Sequence, residues 1–176
     1  MKSKGLLHVY YGNGKGKTTA ALGLALRAYG QGFRVVILQF LKGTFSGELA
    51  VFEKLPGIKI MRGPSDDRFV SAMTHDEKKA IRHIYNAFLG EIDALIKEGA
   101  CDFLVLDEAL DACQLSMADE VLLSDILNNK LNETEMVITG HRPVAWIMDR
   151  ADYVTEMVKH KHPYDQGIGA RKGVEY

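Results

Sequence analysis

The sequence predicts an α/β fold in three layers: a mainly parallel central sheet of about six strands with helices on both faces. Three observations predict it. Short apolar runs alternate with segments of helical periodicity along all 176 residues, the order that builds a parallel sheet through right-handed crossovers. Arg34 to Phe40 is almost continuously apolar, the pattern of a strand covered on both faces. The first run, Leu6 to Tyr11, enters the glycine-rich turn Gly12-Asn13-Gly14-Lys15-Gly16-Lys17-Thr18-Thr19, and an apolar helix leaves that turn directly. Strand, loop and helix in this order are the context of a phosphate-binding P-loop.

The elements follow in order. The first helix spans about Lys17 to Tyr29 and stops at Gly30-Gln31-Gly32, glycine being the usual residue where a helix turns left-handed. After the Arg34–Phe40 strand, a loop through Leu41-Lys42-Gly43 ends in Gly47-Glu48, and Ile58 to Arg62 is a third strand. Gly63 to Val70 is polar and turn-rich with one aromatic, Phe69, a stretch that suits a lid or binding loop. Thr74 and Glu77 form a capping box. Ile81, Ile84, Tyr85, Phe88, Leu89, Ile92, Leu95 and Ile96 then recur at helical steps up to Gly99, with His83 between the apolar positions at the surface. Asp102 to Glu108 is a strand ending in two carboxylates. Ser116 is expected to cap a helix through about Asn128, with Val121, Leu122, Ile126 and Leu127 facing inward. Glu135 to Thr139 is the next strand. Pro143 suits the first turn of a helix through Asp149, with Trp146 in the core, and Tyr153 to Met157 is the last strand. No internal repeat appears. The chain reads as one domain, 1–176, with a basic tail (about 158–176) packing near the active site.

Net charge is −1, so no global field argues for nucleic acid or an anionic membrane as partner. Two cysteines, Cys101 and Cys113, are too few for a disulfide framework. They read as buried apolar residues of a reduced, cytoplasmic chain. The N-terminus shows neither a cleavable signal nor a spanning stretch. His160 and His162 are spaced like a metal pair, but beside lysines they read as a solvated segment.

The loop carries the chemistry. Its glycines permit close backbone approach, so that successive N–H groups can turn onto phosphate oxygens with the positive helix end behind them. Lys17 would reach the outer phosphates, and the Thr18 hydroxyl would ligate Mg2+. The usual first glycine is replaced by Tyr11, so Gly12 and Gly14 must build the turn. Val105-Leu106-Asp107-Glu108 supplies the second half of a magnesium site, on a strand expected to lie beside the P-loop strand. The plainer reading is a carboxylate pair capping the next helix. Gln39, Lys42 and Glu48 stand beyond a strand's carboxyl end, where open parallel sheets bind ligands, though each alone reads equally well as a solvated loop residue. Residue chemistry alone leaves three classes open: an NTPase or kinase acting on the terminal phosphate, a nucleotide-gated binding module, and an enzyme attacking another atom of ATP. In the first class Glu108 could equally activate a water.

A resemblance narrows this. Gly12 to Ala21, Gln39-Phe40-Leu41-Lys42-Gly43 with Gly47-Glu48, Val105-Leu106-Asp107-Glu108, Ile138-Thr139-Gly140, Ala151-Asp152 with Val154-Thr155-Glu156-Met157, Lys161-His162-Pro163 and Gly167 to Tyr176 together resemble the P-loop type corrinoid (cob(I)alamin) adenosyltransferases. That family's loop also lacks the first glycine. The resemblance implies a RecA-like P-loop NTPase fold and transfer of the 5′-deoxyadenosyl group of ATP to Co(I) of a reduced corrinoid, with triphosphate released. It implies ATP bound in reversed sense along residues 12–19, with Lys17 and Glu108 catalytic, Mg2+ on Thr18 and Glu108 with Asp107 behind them, and Arg27 matching a family arginine. It further implies corrinoid contacts from Phe69, Gln39, Lys42, Glu48 and Arg142, a homodimer, and an electron donor such as a flavodoxin. The chain departs from relatives at Ser71, often tryptophan in them, and at His141, which precedes Arg142 where they commonly show Gly-Arg. No counterpart is expected of the N-terminal extension that closes over the site in some members.

Overall fold

The computed structural model describes residues 4–42, 47–64, 70–129 and 133–175. Six strands, β1 (Leu7–Tyr11), β2 (Val35–Gln39), β3 (Ile58–Arg62), β4 (Phe103–Asp107), β5 (Glu135–Gly140) and β6 (Tyr153–Glu156), form one sheet in the order β3-β2-β4-β5-β1-β6. Every pairing is parallel. The helices are α1 (Lys17–Gly30), α2 (Gly47–Phe52), α3 (His75–Lys97), α4 (Ala109–Gln114), α5 (Glu120–Asn129) and α6 (Ala145–Met148). Among the described residues no helix is long and apolar enough to cross a membrane.

Strand alternation feeds two cores. Val35, Ile37, Phe103, Val105 and Val137 meet Ala21, Leu22, Ala25 and Ala28 of α1 on one face. Val36, Leu38, Leu104, Leu106, Met136 and Ile138 meet the other face, under α3, α4 and α5. The four small or apolar residues of α1 recur at helical spacing, which lets this helix lie close to the sheet. The capping box of Thr74 and Glu77 starts α3 as expected, and Tyr85, Leu89, Ile92 and Ile96 are its buried stripe.

Several local expectations are corrected. β4 does not adjoin β1: β5 lies between them. Apolar runs of similar length do not specify which neighbour they pair with. Ser116 does not cap α5. It sits in a left-handed turn at φ 54°, and the Asp119 carboxylate takes the Val121 and Leu122 N–H groups instead. Helix α5 is therefore rotated from the expected frame, burying Leu123 and leaving Val121 exposed. Pro143 precedes α6 and is not in its first turn. Trp146 is only partly buried against the core, though its Nε1 lies buried without a partner.

Candidate active site

All the strands run the same way, so their carboxyl ends share one edge, and the loops there build the site. β1 delivers the P-loop. Gly12 N–H donates to the His141 carbonyl at 3.1 Å and Gly14 N–H to the Met157 carbonyl at 2.6 Å. These two N–H groups are thus engaged with the residues that follow β5 and β6, and Gly12 and Gly14 build the turn. A Cβ on Gly14 would lie 2.7 Å from the Met157 carbonyl oxygen, so glycine is required there by the neighbouring backbone. Gly16 is different. Its φ of 110° selects glycine, and the nearest atom to an added Cβ is Met157 Sδ at 3.8 Å. It is the residue from which α1 starts, and the first N–H groups of any helix have no partner within it.

Lys17 Nζ donates to the Gly12 and Gly14 carbonyls, both at 2.8 Å, and burial lowers its pKa against the pull of Glu108 and Asp111. The ammonium is therefore held over the loop. Thr18 Oγ1 donates to Asp107 Oδ1 at 2.9 Å. Its single proton being engaged, the hydroxyl offers the cavity only lone pairs, one of which accepts from Lys42 Nζ at 2.7 Å. Asp107 is wholly buried and accepts four hydrogen bonds: Thr18 and Thr139 (2.7 Å) on Oδ1, Gln39 (3.1 Å) and Lys42 (2.7 Å) on Oδ2.

Glu108 stands at the N-terminus of α4 with φ 62° and no capping hydrogen bond, so the carboxylate-cap alternative is not what the side chain does. Its backbone N–H donates to Thr139 Oγ1 at 2.9 Å. Burial, then the charge of Asp107, raises the Glu108 pKa, with Lys42 opposing. Thr139 on β5 thereby ties both acidic residues to the strand that separates them from β1.

The P-loop, Lys42, Glu48 and Glu108 line a cavity of about 390 Å3, together with His141, His162, Val174 and Glu175, a size within the range of small-molecule sites. Asn13, Lys15 and Thr19 also line it, whereas Arg27 is exposed on α1 and does not. Gln39 is buried behind Asp107, with Oε1 lacking a partner. Arg142 lines an adjoining cavity of about 500 Å3 with Asp111, Gln114, Leu115 and His141. Phe69 lies outside the described residues. His162 Nδ1 accepts from the Tyr164 N–H and caps the turn that begins at Pro163. Residue chemistry alone did not single out Thr139, Asp111, His141 or Glu175. The tail is the clearest case: Lys15 Nζ lies 2.8 Å from Glu175 Oε1, and Arg171 grips the same carboxylate through two nitrogens. The Arg171 guanidinium, then Lys15, hold Glu175 well below the usual carboxylate range. A charge spacing of 160 positions carries no local signal.

Residues 3–176 match the family of ATP:corrinoid adenosyltransferases BtuR/CobO/CobP. The chain belongs to this family. It is 31% identical over 176 residues to the corrinoid adenosyltransferase of Escherichia coli K12, covering 98% of this chain and 86% of that one. With the Pseudomonas aeruginosa enzyme identity is 33%, covering 98% and 84%. As a member it is a transferase whose substrates are ATP and a corrinoid. The flagellar accessory protein FlaH from Methanocaldococcus jannaschii superposes with a TM-score of 0.56 at 12% identity, over 88% of this chain and 71% of that one. That likeness concerns fold alone, the RecA-like P-loop architecture.

Proposed function

We propose that the cavity holds the triphosphate of ATP along residues 13–19 while the C5′ carbon is struck by Co(I) of the reduced corrinoid. The cobalt–carbon bond forms with both electrons from Co(I). The C5′–O5′ bond breaks, and its electron pair leaves on the triphosphate. The reading is carried by one observation: Lys17, Thr18 and Glu108 line a single cavity beside the P-loop, with Asp107 buried directly behind Thr18. Lys17 and the first-turn N–H groups of α1 are aimed at charge that increases as the triphosphate departs. Thr18 and Glu108 would hold Mg2+, and Asp107 would orient Thr18 by accepting its hydrogen bond. When bound, the ion supplies Lewis-acid stabilisation of the leaving oxygens. The donor set fits a hard cation, being a hydroxyl lone pair and a carboxylate with a buried acidic neighbour. Glu48 and Arg142 are assigned to the corrinoid side and Gln39 to holding Asp107, while Lys42, expected on the corrinoid side, is assigned to the Thr18–Asp107 pair that it bonds. The tail from 158 closes the cavity over Lys15, within one domain. By the family resemblance the working unit is a homodimer in the cytoplasm, and a flavodoxin-type donor supplies the electrons that reduce the corrinoid.

The test mixes the protein with ATP, Mg2+ and chemically reduced cobalamin. Light-sensitive adenosylcobalamin and triphosphate in equal amounts are expected. Release of ADP and phosphate without an organocobalt product would instead identify an NTPase.

A further inference from the structure

The Lys42 ammonium stands where the divalent cation is assigned. It lies 2.7 Å from Thr18 Oγ1, 2.7 Å from Asp107 Oδ2 and 3.9 Å from Glu108 Oε1. The backbone brings it there: Leu41 adopts φ 56°, and its N–H donates to the Tyr85 hydroxyl at 2.8 Å. Asp107 is fully buried, and a buried carboxylate without a counter-charge is strongly unfavourable. One positive charge must therefore accompany the pair of acidic residues at all times. In this structure that charge is Lys42. A divalent cation on Thr18 and Glu108 is strongly disfavoured beside an ammonium on the same hydroxyl, because the two charges repel at contact distance.

We propose that Lys42 is a resident cation that occupies the metal position until Mg2+ arrives with the nucleotide, and is then expelled onto the triphosphate. The inference rests on the reading of Thr18 and Glu108 as the metal's donors. Free metal must displace an internal competitor and binds weakly. The nucleotide-bound metal arrives with anionic oxygens that give the displaced ammonium a new partner. Lys42 thus makes metal binding depend on ATP, and places an extra cation on the leaving group only in the loaded state.

The experiment titrates Mn2+ into the full-length protein without nucleotide and reads bound metal by electron paramagnetic resonance. Lys42→Gln keeps a donor toward Asp107 but removes the charge, and should bind Mn2+ at least about tenfold more tightly than the unsubstituted protein. Lys42→Arg should stay as weak as the unsubstituted protein. With ATP present the order should invert, Lys42→Gln binding Mn2+·ATP less tightly. Equal or weaker binding of free Mn2+ by Lys42→Gln overturns the proposal. Should that variant not fold, acylation of the Lys42 amine in the unsubstituted protein, followed by peptide mass spectrometry, replaces it. Its rate should rise several-fold as Mn2+ loads, and an unchanged rate overturns the proposal equally. Glu108→Gln separates the two readings. If it binds Mn2+·ATP as well as the unsubstituted protein does, the assignment of the metal donors fails. If it binds poorly while Lys42→Gln leaves free Mn2+ binding unchanged, only the Lys42 inference fails.

Discussion

Replacing Thr139 by valine tests how the two acidic residues are held. Valine has nearly the same shape, so the change removes a hydroxyl without opening a cavity. Two groups lose a hydrogen bond: the fully buried Asp107 carboxylate, which keeps three others, loses the one at 2.7 Å, and the Glu108 N–H loses the one at 2.9 Å. A hydrogen bond to a charged group is worth ~1.5–3 kcal/mol and an unpaired buried N–H costs ~1–3 kcal/mol. Glu108 keeps some access to water, its side chain being 17% exposed, which reduces the second figure and leaves a destabilisation of roughly 2–4 kcal/mol. For a chain of this size that lowers Tm by about 5–15 °C. The same hydrogen bond supports the left-handed backbone of Glu108 at φ 62°, a conformation costing ~1–3 kcal/mol in a non-glycine residue. Adenosylation should therefore fall more than stability alone explains at temperatures where the variant is folded. Urea denaturation gives the first quantity, and the rate of adenosylcobalamin formation the second. Thr139→Ser restores the hydroxyl and should recover most of both. A Thr139→Val protein within 0.5 kcal/mol of the parent and equally active would refute the bridging role.

Three further outcomes are expected. Lys17→Ala should lower the rate of triphosphate release about 10²–10³-fold with an unchanged circular dichroism spectrum, because its ammonium bonds only loop carbonyls. Gly14→Ala should destabilise by ~1–3 kcal/mol and weaken ATP binding in calorimetry, since the new Cβ meets the Met157 carbonyl at 2.7 Å. Cys101 and Cys113 are buried, and burial pushes both thiols up from 9.0 to about 12. A raised folded pKa favours the neutral thiol, so this stabilisation is complete below the ordinary range and is lost only as pH climbs toward about 12. At pH 8 both thiols should react with a disulfide reagent about 10³-fold more slowly than in the unfolded chain. A fast phase of either thiol in native protein would contradict the buried assignment.

Much of the fold was legible because local physics writes it into local sequence. The capping box at Thr74, the apolar stripe of α3 and the apolar runs of β2 and β4 each express burial within a few residues. Where the competing signal was equally local, the reading went astray: Ser116 and Asp119 are both good caps, and the packing of α5 against α3, whose Asn86 takes the Asp119 N–H, goes with Asp119. At the site, Lys17, Thr18, Asp107 and Glu108 were legible as residue types in a known spacing. Thr139 was not singled out for a role, because a threonine inside an apolar strand looks like any β-branched residue.

By itself the sequence determined the α/β class, the glycine-rich turn at a strand's end, the acidic strand end and membership of the corrinoid adenosyltransferases. All of these are carried by contiguous residues. The tertiary structure alone decided that β5 separates β1 from β4, that Gly12 and Gly14 serve the neighbouring backbone, that Lys42 sits on Asp107, and that Glu175 reaches Lys15. Each of those is a pairing across tens of residues or more. Its energy depends on which surfaces are buried together, and no local pattern encodes that choice.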